Sequence, residues 1–133
     1  MAKPTHHAQT SLEAGTFVKD GTLCRQGDWM CFSTSADVLK LYDGRRMTPI
    51  KDITGHNGTI SDVVSNDVTG MLVSSQEDTG VMVSDLRMQN PAHFLTELQG
   101  KGKNCFSIDV NPSGTTLAVA AGEDVHLVDT RTW

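Results

Sequence analysis

Apolar residues come along this chain in short bursts. Trp29-Met30-Cys31-Phe32, Ile60 with Val63-Val64, Leu72-Val73, Val81 to Val83, Phe106-Ile108-Val110 and Val125 to Val128 are divided by polar pieces. Those pieces include Asp67-Val68-Thr69-Gly70, Glu77-Asp78-Thr79-Gly80 and Asn111-Pro112-Ser113-Gly114. Bursts of this length are too short for the apolar stripe of a helix, and Gly, Pro, Asn and Asp between them mark tight turns, so they read as strands. The pattern predicts strands over Trp29–Phe32, Val38–Tyr42 and Ile50–Ile53, then further sets within 55–87 and 105–129. Pro49, at the head of the Ile50–Ile53 segment, suits an outer strand that need not donate every ladder bond. Phe17-Val18 is a candidate for one more strand. Alternation sends Val63, Leu72, Val81, Ile108 and Leu117 to buried faces. In the turn at Asn111 to Gly114, Pro112 presets φ and Gly114 takes the position that needs positive φ.

The bursts recur with a period. Three units close on Tyr42-Asp43, Ser84-Asp85 and Val128-Asp129; Asp43 to Asp85 is 42 residues and Asp85 to Asp129 is 44. The second unit opens on Gly55-His56, and Gly100-Lys101 holds that place in the third. This resembles the WD-repeat β-propeller family, whose repeats open on Gly-His, end on Trp-Asp and run about 40–45 residues. The likeness covers the chain from about Thr22 to its C-terminus. It implies an all-β fold of four-stranded antiparallel blades in an incomplete ring, with the first and last of three units incomplete and Phe17-Val18 as an N-terminal strand pairing with the last blade. Residues 1–15 show no periodicity and read as a flexible leader, leaving 16–133 as a partial propeller with units ending near Asp43, Asp85 and Asp129. Closed propellers typically have four to eight blades. The expectation is therefore that completion comes from a longer chain, from self-association or from a partner.

The same resemblance assigns roles to residues. His56, Ser74 and Asp78 match a hydrogen-bonded relay that ties an inter-blade loop to the blade, and Ser84 stands where the family's tryptophan would complete it. A Ser-His-Asp catalytic reading of these three would need an exposed nucleophile and an oxyanion hole, which nothing in the sequence marks, so no enzyme is expected. Gly100 to Asn104 carries two lysines but lacks the spacing of a phosphate-binding loop. Loops and turns holding Asn57, Gln76, Glu77, Lys101, Lys103, Asn104 and Glu123 are expected to share the face that meets partners. All three units end in Asp-x-Arg, with Arg45, Arg87 and Arg131 in the last place. That pattern is similar to the Trp-Asp-x-Arg motif of WD-repeat receptors that contact the adaptor of cullin-4 ubiquitin ligases. A strand-end ion pair is the competing reading.

Composition narrows the function further. The 133 residues carry a net charge of −5 with charged residues at 20%, so no general attraction to nucleic acid or an anionic membrane is implied. No apolar run approaches the roughly 20 residues of a membrane span, and Met1 to Thr10 has no apolar core for a secretory signal. Cys24, Cys31 and Cys105 lack metal-type spacing and read as buried, reduced thiols; His6-His7 has no further ligands near it. Neither metal nor cofactor is expected. The sequence points to an intracellular protein of cytoplasm or nucleus, a non-catalytic scaffold that binds other proteins or peptides within a multiprotein complex. The alternative is the substrate receptor of a cullin-4 type ligase.

Overall fold

The computed structural model describes residues 9–56, 58–77, 80–86, 91–95 and 105–132, with only the backbone of 26, 91–94, 105 and 106. Among the described residues, three antiparallel sheets follow one another along the chain. The first is β1 (Val18–Cys24), β2 (Trp29–Thr34), β3 (Leu39–Asp43) and β4 (Pro49–Ile53), hydrogen-bonded in that order. The second repeats it with β5 (Ile60–Asn66), β6 (Met71–Gln76), β7 (Gly80–Asp85) and β8 (Pro91–Phe94). The third has β9 (Cys105–Val110), β10 (Thr116–Ala121) and β11 (Asp124–Asp129). Sheets of this meander type are β-propeller blades, and the fold is all-β.

Pro49 pairs with Tyr42 at the start of β4, as the sequence predicts, and Pro91 pairs with Ser84 at the same point of β8. In both cases the register shifts just before the pair, so the bulge absorbs the ladder bond that proline cannot make.

The first blade corrects two expectations. It has all four strands, because β1 supplies the one that sequence reading left out. Phe17-Val18 does not pair with the last sheet either: Val18 stands opposite Thr34 of β2, and Ser35 N–H donates to the Phe17 carbonyl. The signal was hidden because β1 is largely polar and solvent-facing, so no apolar alternation announces it. Gly21 is there for room, since a Cβ would lie 3.3 Å from the Cys31 carbonyl oxygen. Ahead of β1, Thr10 and Leu12 lie along the outer face of this blade, beside Leu23, Met30 and Phe32.

Strand alternation divides the core between two seams. Leu72 and Met82 turn toward the first blade and join Cys24, Leu39, Leu41, Ile53, Ile60 and Val63. Val73, Val81 and Val83, one residue out of phase, turn toward the third and join Ile108, Leu117 and Val119. Val63, Leu72, Val81, Ile108 and Leu117 are all buried. Cys24 and Cys31 are free thiols in the first seam; burial pushes Cys24 up to about 11 and Cys31 further in the same direction, which keeps both protonated and unreactive. The second blade is thus the keystone, with each of its faces buried against a neighbour.

Polar groups clamp the same seams. Asp62 Oδ2 accepts from Ile108 N–H at 2.9 Å and Ser107 Oγ at 3.2 Å, crossing from β5 to β9. Burial, and then the neighbouring Asp20, hold its carboxyl above the usual range. Asn66, buried at the end of β5, donates to the Gly114 carbonyl at 2.8 Å. Between the first two blades, Arg25 N–H donates to Asp67 Oδ1 at 3.1 Å and Lys51 Nζ to the Leu86 carbonyl at 3.3 Å.

Candidate functional site

Each blade presents two ends, and the residues singled out in the sequence fall on both. At one end, residues 54–56 and 58–59, Glu77 after β6 and the turns after β2 and β10 lie together in the strand register. His56 sits here, half-buried, between two polar side chains of β6. Its Nδ1 is 3.2 Å from Gln76 Oε1 and its Nε2 is 2.7 Å from Ser74 Oγ. An amide oxygen can only accept, so Nδ1 carries the proton and the Ser74 hydroxyl donates to Nε2. Both ring nitrogens are occupied by neutral groups, and burial pulls the imidazole below its ordinary value, with the Gln76 bond opposing in part.

The structure therefore brings His56 and Ser74 together and adds Gln76, which the sequence reading placed on the partner-binding face. That placement is corrected: Gln76 is 5% exposed, and its side chain is turned inward to His56. The position at the end of β6, opposite Ile60, faces the blade interior. Glu77 and Glu123 are exposed at this end, Glu77 tied by its backbone N–H to the Thr59 carbonyl. Asp78, Asn57, Lys101, Lys103 and Asn104 lie outside the described residues.

Ser84, in the place of the tryptophan, is buried with no hydrogen-bond partner for its Oγ among the described residues. Its cross-strand neighbours are Leu72 and Pro91, and neither offers a side-chain acceptor. A buried unsatisfied hydroxyl costs about 1–3 kcal/mol. Ser84→Ala is accordingly expected to raise the unfolding free energy by about 1 kcal/mol, read from urea denaturation; a loss of stability would mean that the hydroxyl has a partner in solution.

The His56 geometry gives a pH prediction. The folded value lies below the ordinary histidine value of about 6.5, so the unfolded chain takes up a proton that the folded one resists. The stabilisation from the neutral ring is present above pH of about 6.5 and fades as pH falls toward the folded value. Urea midpoints are expected to drop between pH 7.5 and 5.5 in the wild type and to drop less in His56→Gln. An equal drop in both would remove His56 as the cause.

At the opposite end lie the Asp-x-Arg termini. Asp43 accepts the backbone N–H groups of Arg45 and Arg46 at 2.9 Å each; the Arg46 bond first, then that of Arg45, holds its carboxyl below the usual range. Arg45 itself reaches across to Asp28, 3.5 Å away. Arg131 folds back on Asp129 with two side-chain bonds of 2.9 Å, and this fork lowers the Asp129 carboxyl to about 2. Arg87 lies outside the described residues. Among the described residues no group of three or more His, Cys, Asp or Glu side chains could hold a metal ion.

A feature of this end went unread in the sequence. Arg25 sits at φ +50°, in the left-handed region, and its guanidinium lies 4.1 Å above the Trp29 ring. A cleft of about 810 Å³ opens beside it between the first and second blades, reaching Val68 and Leu86.

No family model matches the chain. Among curated proteins, the anaphase-promoting complex subunit cdc20 of Dictyostelium discoideum is 23% identical over 101 residues, covering 76% of this chain and 19% of its own length. Pre-mRNA-processing factor 19 homolog 2 of Arabidopsis thaliana is 27% identical over 111 residues, covering 83% of this chain and again 19% of its own. The chain thus spans about a fifth of the length of these relatives. A chain in a crystal structure of the mitotic checkpoint complex superposes with a TM-score of 0.79 at 19% identity, over 91% of this chain and 36% of that one. The three sheets are blades of a β-propeller fold.

Within the second blade, His56 ties the Gly55-His56 loop to the sheet beneath it through Ser74 and Gln76. Of the described residues, no helix is long and apolar enough to cross a membrane.

Proposed function

We propose that this chain is a non-catalytic scaffold that holds protein partners on loops carried by rigid blades. The observation that carries the reading is the state of the residues closest to a catalytic arrangement. Ser74 is fully buried, so it cannot reach a substrate, and its hydroxyl is committed to His56. The imidazole is a strut between loop and sheet. At the same end, exposed Glu77 and Glu123 follow hydrogen-bonded strands of the second and third sheets, which is how a stiff sheet makes loops available at little entropic cost. One relative is named as a complex component, an anaphase-promoting complex subunit, which supports a place within an intracellular assembly.

The test is association in cell extract. Wild-type chain is expected to run in a high-mass fraction on size exclusion and the charge-reversed pair Glu77→Lys/Glu123→Lys as the free chain, with both melting alike. Two identical high-mass profiles would count against this face. The ligase-receptor alternative keeps one point of support: Arg45, whose side chain is 85% exposed at the end of its blade. Arg131 speaks for the ion-pair reading, since its fork is filled by Asp129.

A further inference from the structure

The cleft between the first two blades has the build of a binding site, at the end of the blades away from His56. Its floor is apolar, from Trp29 and the buried Leu86, and its wall carries Val68, 66% exposed. Over the floor stands Arg25. Its backbone is fixed in the left-handed region by the N–H bond to Asp67 across the blade boundary and by the Asp28 N–H bond to its carbonyl at 3.2 Å. Its side chain is held over Trp29 by a cation–π contact, the guanidinium carbon 4.1 Å from the ring centroid. Among the described residues that guanidinium makes no ion pair and no hydrogen bond. A second recess continues from Arg25 and Trp29 to Asp43 and Arg45.

An arginine held over an aromatic ring loses less freedom when its planar fork is engaged, and Arg and Trp, with Tyr, are enriched where binding energy concentrates. The fork matches a carboxylate with two parallel hydrogen bonds. A polyanion fits poorly, because Asp28, Asp43 and Asp67 outnumber Arg25 and Arg45 around the opening and repel a run of phosphates. A single carboxylate next to an apolar side chain meets the fork and the floor together. We propose that this cleft docks an extended partner peptide in which an Asp or Glu pairs with Arg25 and a neighbouring aliphatic or aromatic residue enters over Trp29 and Leu86. The proposal rests on the protein-interaction reading above and adds a second, separate place of contact.

The experiment pans a phage-displayed library of random twelve-residue peptides on the purified chain, and recovered peptides are resynthesised with a fluorescent label. Recovered sequences are expected to share an Asp or Glu within two positions of Leu, Ile or Phe. Arg25→Gln should weaken them about tenfold or more, and Arg25→Lys less, because charge survives without the fork. Replacing the acidic residue by its amide should cost the wild type a similar factor and cost Arg25→Gln almost nothing. Melting temperatures of the variants verify that the blade is intact. Peptides lacking an acidic residue, or an unchanged affinity for Arg25→Gln, would overturn the cleft assignment. Peptides lost in Glu77→Lys but kept in Arg25→Gln would overturn it while leaving the scaffold reading in place. No enrichment, alongside a labelled dT20 oligonucleotide that binds wild type but not Arg25→Gln, would assign the cleft to phosphate instead.

Discussion

Leu72→Ala is expected to lower the unfolding free energy by about 2–5 kcal/mol, toward the upper part of that range. Leu72 is fully buried and lies in the seam with Leu39, Leu41 and Met82. How much a large-to-small change costs depends on how far the surroundings can collapse into the space. Here they can do little. The residues directly opposite Leu72 on its two flanking strands are Ser65 and Ser84, both small, so no neighbour within the sheet can swing in to fill the hole. Across the seam stand side chains of another sheet, held by their own ladders. Urea denaturation followed by circular dichroism measures the change, and Leu127→Ala, a leucine 74% exposed, is the control, expected within about 0.5 kcal/mol of wild type. A loss at Leu72 below about 1 kcal/mol would mean that the first seam contributes little to stability.

What the sequence made legible was whatever is local or periodic. Strand alternation in β5, β6 and β9 put Val63, Leu72 and Ile108 inside, and burial of those side chains follows from it. The Asp43, Asp85 and Asp129 repeat located the three sheets, because each of these aspartates ends the third strand of its blade. The signal failed where a strand had no apolar face, as in β1, which a sequence rich in Lys, Asp, Gly and Thr disguises as a loop. It failed again where the chemistry crosses between blades. The Arg25–Asp67 and Asn66–Gly114 bonds join residues more than 40 positions apart, and no pattern in one segment reports the other. Gln76 was misread for a third reason. A polar residue next to a turn is ordinarily exposed, but this one ends a strand and has a half-buried imidazole to satisfy. A signal for Asn66 was present and passed over: it ends the first strand of its blade as Asn111 directly follows the first strand of the next, and each begins the following turn.

Gly114→Ala is expected to be among the most destabilising single-methyl additions in the chain, at about 3 kcal/mol or more. Three effects combine at this position. The backbone sits at φ +73°, where any residue with a Cβ is strained by about 1–2 kcal/mol. The added carbon would collide with Asn66 Oδ1 and lie 2.9 Å from Val68 Cβ, so the second blade has to give way. Moving Asn66 breaks its 2.8 Å bond to the Gly114 carbonyl and its acceptance of the Thr69 N–H, leaving a buried amide short of partners. Gly70 provides the comparison, because it closes the matching turn of the second blade at φ +75° with nothing within 4 Å of its Cβ position. Gly70→Ala should show the conformational cost alone, about 1–2 kcal/mol. The excess at Gly114 then measures the clamp between blades. Adding Asn66→Ala to Gly114→Ala should cost less than the sum of the two single changes, because both damage one contact. Strict additivity, or equal losses at Gly70 and Gly114, would mean that the blades are not held together through Asn66.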